Sequence, residues 1–415
     1  MRLGPYYALL RENAAFRRLY AAQLVSFAGD WFATVALLGL ALDLTGSATV
    51  AALVLVLQTA GFAVASPLAG ILSDRFDRRR LLIAADLARV PIALAFMLAH
   101  TSDTLWIALL AVALLSVGAA VFEPTSSAAL PNLVEPSQLR EANVLIGSAW
   151  GVMLAVGAAI GGLVAATLGR DAAFLVNALT FAASAVLIIG IRRPFQESRA
   201  ARGPDGQRDA GLVRSLVTVV AFARHNRLVS SLLLSKTVFG VGTGVVLMLA
   251  IFGNEVFGAG DVGIGVLFAA RGLGALVGPF AARSIFGMED RGLLVGIAAS
   301  LVTVVVAYAL FPLAPTIWLA GLLVFFGHLG GGAQWTLSTY GLMRATPDSI
   351  RGRVFSFDYG LVTLMITAST ILAGILSESL APSAAVWTMV ALIALIGLAW
   401  IWFSTPARRA SLPAA

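Results

Sequence analysis

The sequence predicts an all-α integral membrane protein, with twelve transmembrane helices arranged as two pseudo-symmetric six-helix bundles. Three observations carry this expectation. The 415 residues are 59% hydrophobic and 12% charged, with a mean hydropathy of +0.92, whereas a soluble domain carries about 25% charged residues. The apolar residues are gathered into runs of roughly 20, the length a helix needs to cross a ~30 Å hydrocarbon core. The breaks between the runs alternate between strongly basic and nearly free of basic residues.

In chain order the first half gives spans at 19–42, 47–71, 81–99, 105–129, 141–166 and 172–191. The second half gives 229–253, 262–284, 291–312, 316–341, 353–377 and 383–404. With the N-terminus placed in the cytoplasm, the tails and alternate loops hold 24 of the 28 basic residues, and the opposite loops hold only Arg170. Arg89, Lys236 and Arg271 fall inside spans. This asymmetry is the positive-inside rule, and it places both termini in the cytoplasm. It also accounts for the net charge of +7 without a nucleic-acid partner. The N-terminal stretch MRLGPYYALLRENAAFRRLY shows no short apolar region with a small-residue cleavage site, so the first span is expected to serve as its own targeting signal.

The longest polar segment begins RRPFQESRAARGPDGQRDAG at Arg192 and reads as a cytoplasmic linker ending in a short amphipathic helix from about Leu212. It divides the chain into an N-terminal bundle (1–191), a linker (192–228) and a C-terminal bundle with a short cytoplasmic tail (229–415). Two matches support a duplicated unit. LAGILSDR at 68–75 aligns with LVGPFAAR at 276–283, and EPSQLREAN at 135–143 aligns with TPDSIRGRV at 346–354, at nearly the same offset.

Several chemistries are excluded. There is no cysteine, hence no disulfide, thiolate metal site or thiol nucleophile. No HExxH signature or Ser/His/Asp set is evident, so no metal, cofactor or enzymatic activity is expected. Lys236-Thr237 has the tail of a P-loop, but no glycine lies in the five residues before it.

Ionisable residues inside spans carry the functional signal. Asp30, Glu123, Lys236, Arg271, His328 and Asp358 lie well within apolar runs, and Asp86 and Arg89 form a shallower set three residues apart. A full charge costs roughly 3 kcal/mol at a helix centre on insertion scales. These groups must therefore pair, protonate or face water. Lys236 is the only lysine in the chain, and it sits in the apolar stretch LLLSKTVFG. A lysine amine loses its proton far more readily than a guanidinium when desolvated, so it suits a site that gives up its charge or exchanges partners.

The break GILSDRFDRRRLL, from Gly70 to Leu82, places Gly70, Asp74, Arg75, Arg78 and Arg79 at the cytoplasmic end of spans 2 and 3. It closely resembles the GxLaDrxGrkxxL signature of the major facilitator superfamily, with Asp77 where the family usually has glycine. The copy in the second half carries Ala282 opposite Asp74, so the resemblance implies a gate-locking ion pair in the first half alone. In span 5, GVMLAVGAAIGG has small residues suited to close helix packing at Gly157, Gly161 and Gly162. It is similar to the family's antiporter motif, with Ala158 in place of proline. The stretches PTSSAALPNLVEPSQLREAN and QWTLSTYGLMRATPDSIRGRVFSFDYG resemble the branch that includes macrolide-efflux proteins and enterobactin exporters.

That resemblance implies a proton-coupled exporter of a small amphiphilic molecule by alternating access, working as a monomer in the bacterial cytoplasmic (inner) membrane. It also implies that spans 1, 4, 7 and 10 line the central cavity, with Asp30, Glu123, Lys236 and His328 one on each. Asp30 and Glu123 are the candidates for proton coupling or substrate contact, with Gln334 as the neutral repeat counterpart of Glu123. Glu123 precedes Pro124, which suggests a broken helix. Lys236 is expected to face acids across the two halves, with a buried structural ion pair as the alternative and its partner open among Asp30, Glu123 and Asp358. Arg271, Asp358, Asp86 and Arg89 are expected as gating or structural ions. Three rivals remain open at this point: an importer or facilitator, a lysophospholipid transporter, and a non-transporting membrane sensor.

Overall fold

A computed structural model describes residues 4–196, 212–287 and 289–410, with side chains except at 66–71, 73–75, 140, 143, 212–216, 348–349, 351–352, 356 and 409–410. The roles expected of Gly70, Asp74 and Arg75, and of most of the linker (197–211), lie outside that description. Among the described residues, twelve helices are long and apolar enough to cross a membrane.

The chain divides into two compact units, Met1–Gly206 with Ala259–Ala269, and Gln207–Gly258 with Ala270–Ala415. In the first, the short α1 (Gly4–Glu12) leads into α2 (Ala14–Thr45), α3 (Ala48–Arg75), α4 (Arg78–Leu94), α5 (Leu105–Leu133), α6 (Leu139–Leu168) and α7 (Arg170–Ile189). In the second, α8 (Leu212–His225) precedes α9 (Arg227–Gly242), α10 (Val245–Ile251), α11 (Gly260–Phe286), α12 (Asp290–Leu310), α13 (Ile317–Ala345), α14 (Asp348–Ser379) and α15 (Pro382–Ala410). The first turns of α11 belong to the first unit.

Local chemistry sets the helix ends. The Asn13 side chain accepts from Phe16 N–H at 2.9 Å to cap α2, and its amide donates to the Leu133 carbonyl at 2.9 Å. Gly46, at φ 62°, takes the left-handed position that ends α2 two residues before α3 begins. Asp77 caps α4 by accepting from Arg80 N–H at 2.9 Å. A carboxylate there also complements the positive helix end. This gives a local role to the aspartate that stands where the family motif usually has glycine.

The same helix pairs recur in both units. In the first, α2 packs on α6 and α7, α4 on α5 and α7, and α3 on α5. In the second, α9 packs on α14 and α15, and α12 on α13 and α15. A Cβ at Gly274 or Gly278 of α11 would strike the α13 backbone at Phe325 or Leu329. Numbered one to six within its unit, the first span meets the fifth and sixth, the third meets the fourth and sixth, and the second meets the fourth.

Two details depart from the sequence reading. Helix α5 runs unbroken through Pro124 and Pro131, so Glu123 lies within a helix and not at a break. The neighbouring helices hold α5 on course despite the N–H groups its prolines lack. Conversely, span 7 is interrupted between α9 and α10, and it ends in a π-turn at Phe252–Val256. At the interruption, Gly244 N–H donates to Ser369 Oγ at 2.9 Å. A Cβ at Gly244 would meet the Ser369 carbonyl at 2.5 Å, so only glycine allows α14 to come this close.

Candidate functional site

The first unit gathers Asp30 (α2), Asp86 and Arg89 (α4) and Glu123 (α5). Asp86 and Arg89 form an ion pair with both side chains almost wholly buried. The Arg89 guanidinium lies over the rings of Phe122 and Phe181, 5.1 and 4.3 Å from their centroids, and its stem fills the space beside Gly118. Stacking between two aromatic faces suits the weakly hydrated guanidinium. Asp30 interacts electrostatically with Arg89 and Asp86, and Glu123 with Asp30 and Arg89. Three acids thus share one buried cation.

A neighbour the sequence reading missed is Asn177 on α7. It is fully buried, and neither end of its amide has a hydrogen-bond partner among the described residues. It abuts Gly29, one residue before Asp30: a Cβ at Gly29 would come within 2.8 Å of its Oδ1. An asparagine in an apolar run was the available signal.

The second unit holds two groups. In one, Lys236 (α9) forms an ion pair with Asp358 (α14), and the two residues are each only 1% exposed. The Lys236 ammonium stands 4.6 Å from the ring centroid of Trp335 (α13) and 5.3 Å from that of Tyr359 (α14). Gln334, adjacent on α13, donates to the Ser235 carbonyl at 2.6 Å and fixes α13 against α9. Of the acids left open as partners of Lys236, Asp358 of the same unit is the one it pairs with. The cause is topological: α9 packs directly on α14, which puts the two side chains on facing surfaces.

In the other group, His328 (α13) and Tyr308 (α12) are joined by a 2.8 Å hydrogen bond between Nε2 and the phenol. Arg271 (α11) interacts electrostatically with both. The expected cavity histidine therefore has a local partner, and Tyr308, which the sequence reading passed over, completes the group.

The motif positions divide similarly. Arg78 donates to the Ala128 carbonyl at 2.6 Å, and Arg79 to the Ile188 and Ile189 carbonyls at the end of α7. Arg79 thus holds carbonyls at a helix end, where a cation is favoured. Gly157 and Gly161 let α6 approach α2: a Cβ at Gly161 would lie 2.7 Å from Phe32 Cα. One at Gly162 would reach the Asp261 carbonyl at 2.5 Å. At the same end of the first unit, Arg170 binds Asp43 at 2.6 Å and Asp261 at 3.0 and 3.2 Å. The one basic residue of the loops on this side is therefore held by two carboxylates.

Among the described residues, twelve helices long and apolar enough to span a membrane, in two units with matched packing and with ionisable groups gathered inside the spans, have the architecture of a polytopic membrane transporter. Residues 19–357 match the family model of the Major Facilitator Superfamily, and the chain belongs to that family. It is 23% identical over 372 residues to macrolide efflux protein A of Streptococcus pyogenes, covering 88% of this chain and 89% of that protein. It is 24% identical over 378 residues to the putative bacilysin exporter of Bacillus subtilis, covering 89% of each. Among solved structures, a bacterial homolog of the human lysosomal transporter Spinster superposes with a TM-score of 0.72 at 15% identity, over 95% of this chain and 96% of that one.

Proposed function

We propose that this protein is a proton-coupled secondary transporter that exports a small amphiphilic molecule across the bacterial cytoplasmic membrane by alternating access. The observation that carries the reading is the group of Asp30, Asp86 and Glu123 around the single cation Arg89. One acid is matched by the arginine. The other two exceed it, and in a membrane interior an unmatched carboxylate is held by a proton or a cation. An acid that alternates between an environment that keeps its proton and one that removes it carries a proton in each cycle. On this reading Asp30 and Glu123 carry the proton, supported by their electrostatic interaction with Arg89, and the Asp86–Arg89 pair is their fixed background.

Export is favoured over import by the names of the relatives. The Streptococcus pyogenes protein is named for macrolide efflux and the Bacillus subtilis protein for bacilysin export. The aromatic residues beside the Lys236–Asp358 pair, Trp335 and Tyr359, suit a molecule with both apolar and charged parts.

The test is an accumulation assay in cells that lack their major efflux systems. Expression of the protein is expected to lower retention of at least one member of a panel of fluorescent amphiphiles. A protonophore is expected to restore it, and Asp30→Asn and Glu123→Gln are expected to abolish the difference at unchanged membrane levels. Efflux that persists in both variants and survives the protonophore would remove proton coupling from the account.

A further inference from the structure

We propose that Asp358, Trp335 and Tyr359 form a binding site for a protonated amine of the transported molecule, and that the Lys236 ammonium is a tethered occupant which this amine displaces. The inference rests on the export reading above and gives its substrate a charge class.

A carboxylate beside two aromatic faces is a receptacle for an organic cation: the faces attract it through their quadrupoles and the acid through its charge. All three walls come from α13 and α14, and the two aromatic ones are packed without help from Lys236. Trp335 packs edge-on against Tyr359, 5.8 Å between centroids, and against Phe239, 5.4 Å away. Only one oxygen of Asp358 is used. Oδ2 takes the Lys236 ammonium, while Oδ1 is buried and accepts no hydrogen bond among the described residues. Tyr359, one of the aromatic walls, is 50% exposed, whereas Asp358 is 1% exposed.

The identity of the occupant matters. An arginine would keep its charge under all conditions, whereas an amine can give its proton up. Displacement conserves charge: the substrate ammonium takes the place of the lysine ammonium, Lys236 remains as the neutral amine, and its proton passes to water. Each cation bound releases one proton, and a proton returning to Lys236 expels the cation. Of the groups that face the ammonium, the titratable Asp358 and Tyr359 come from α14, while α13 contributes the neutral Trp335.

The experiment is equilibrium binding to the purified full-length chain in detergent, using tetraphenylphosphonium and the similarly shaped anion tetraphenylborate. A pH indicator in weak buffer records proton release. Wild type is expected to bind the cation with about one proton released per cation, and to bind the anion no better than empty micelles do. Lys236→Met is expected to bind the cation about tenfold more tightly without releasing protons, the order expected when a tethered competitor is removed. Lys236→Arg keeps the ion pair but holds a permanent charge in the site, so it is expected to lose cation binding.

A purely structural pair predicts the reverse, with Lys236→Arg binding like wild type, and that result would overturn the proposal. So would preferential binding of tetraphenylborate that disappears in Lys236→Met, or absence of cation binding in wild type. Because Lys236→Arg preserves the pair, it decides the matter even if Lys236→Met does not fold. If proton-driven efflux holds while Lys236→Arg still binds the cation, this inference fails alone. If binding behaves as stated and no gradient drives transport, the export reading fails alone.

Discussion

Buried charges in this protein are of two physical kinds, and single substitutions should separate them. Asp86 is tied to Arg89, whose guanidinium is stacked between Phe122 and Phe181. Asp86→Asn leaves that cation buried without its carboxylate, and breaking a buried pair from one side costs about 3–5 kcal/mol. The expected outcome is a clear fall in the melting temperature of the purified protein and reduced expression. A thermal melt in detergent checks it. Asp30 and Glu123 share the electrostatics of the same cation without being its ion-pair partner. Asp30→Asn and Glu123→Gln are therefore expected to melt within a few degrees of wild type while losing gradient dependence.

Which ionisable residues lie inside the spans could be read from the sequence, because such a residue in an apolar run is conspicuous. Who pairs with whom could not. Lys236 and Asp358 are 122 residues apart, and their meeting depends on the rotation of two helices about their axes, which a uniformly apolar run does not encode. Tyr308 escaped notice for a related reason. A single tyrosine in an apolar helix looks like packing until His328 is seen beside it.

At the scale of the helices, glycine decides which surfaces touch. Helices in lipid associate through close packing and not through the hydrophobic effect, so a small residue at a crossing sets the distance between backbones. Gly161 brings α6 against Phe32 of α2, and Gly162 brings it against the first turn of α11. Gly161→Val would place a branched side chain where a Cβ already lies 2.7 Å from the Phe32 backbone. Overpacking of this kind costs about 1–3 kcal/mol, and the variant is expected to melt lower and to transport more slowly. Ala158 lies in the same run, buried against α11 where a Cβ at Gly265 would meet its carbonyl, so replacing Ala158 with the family's proline would disturb that crossing too.

The glycine stripe was visible in the sequence as a spacing, although the helix it faces was not. The interruption of span 7 was harder to see. Gly240, Gly242 and Gly244 suggest flexibility, but the break is formed by the hydrogen bond from Gly244 N–H to Ser369 on α14, a tertiary contact with no local signature. Asp77→Ala is a milder test at this scale. It removes the cap of α4 and should cost about 1 kcal/mol without altering transport specificity.

For the molecule as a whole, hydropathy and charge sidedness were enough to place twelve spans, because the bilayer imposes length and polarity on every helix that crosses it. The duplication signalled by two short sequence matches appears in the fold as a repeated set of helix pairings. Orientation is directly testable because the chain contains no cysteine, so a single introduced thiol reports its own side of the membrane. Asp103→Cys, between the third and fourth spans, is expected to react with an impermeant maleimide added outside intact cells. Gln196→Cys, after the sixth span, is expected to react only once the cells are opened. The opposite pattern would invert the topology and the direction of every proton step inferred from it.

The central claim is that proton movement and substrate movement are one process. Purified protein reconstituted into liposomes with a trapped pH dye, at equal pH on both sides, provides the measurement. An amphiphile that the protein exports from cells is added outside, and internal pH is followed in wild type and in the Asp30→Asn, Glu123→Gln double variant. The account predicts that the amphiphile drives proton movement in the opposite direction through wild type, and that the double variant shows none. Uptake of the amphiphile by wild type with no change in internal pH would contradict it.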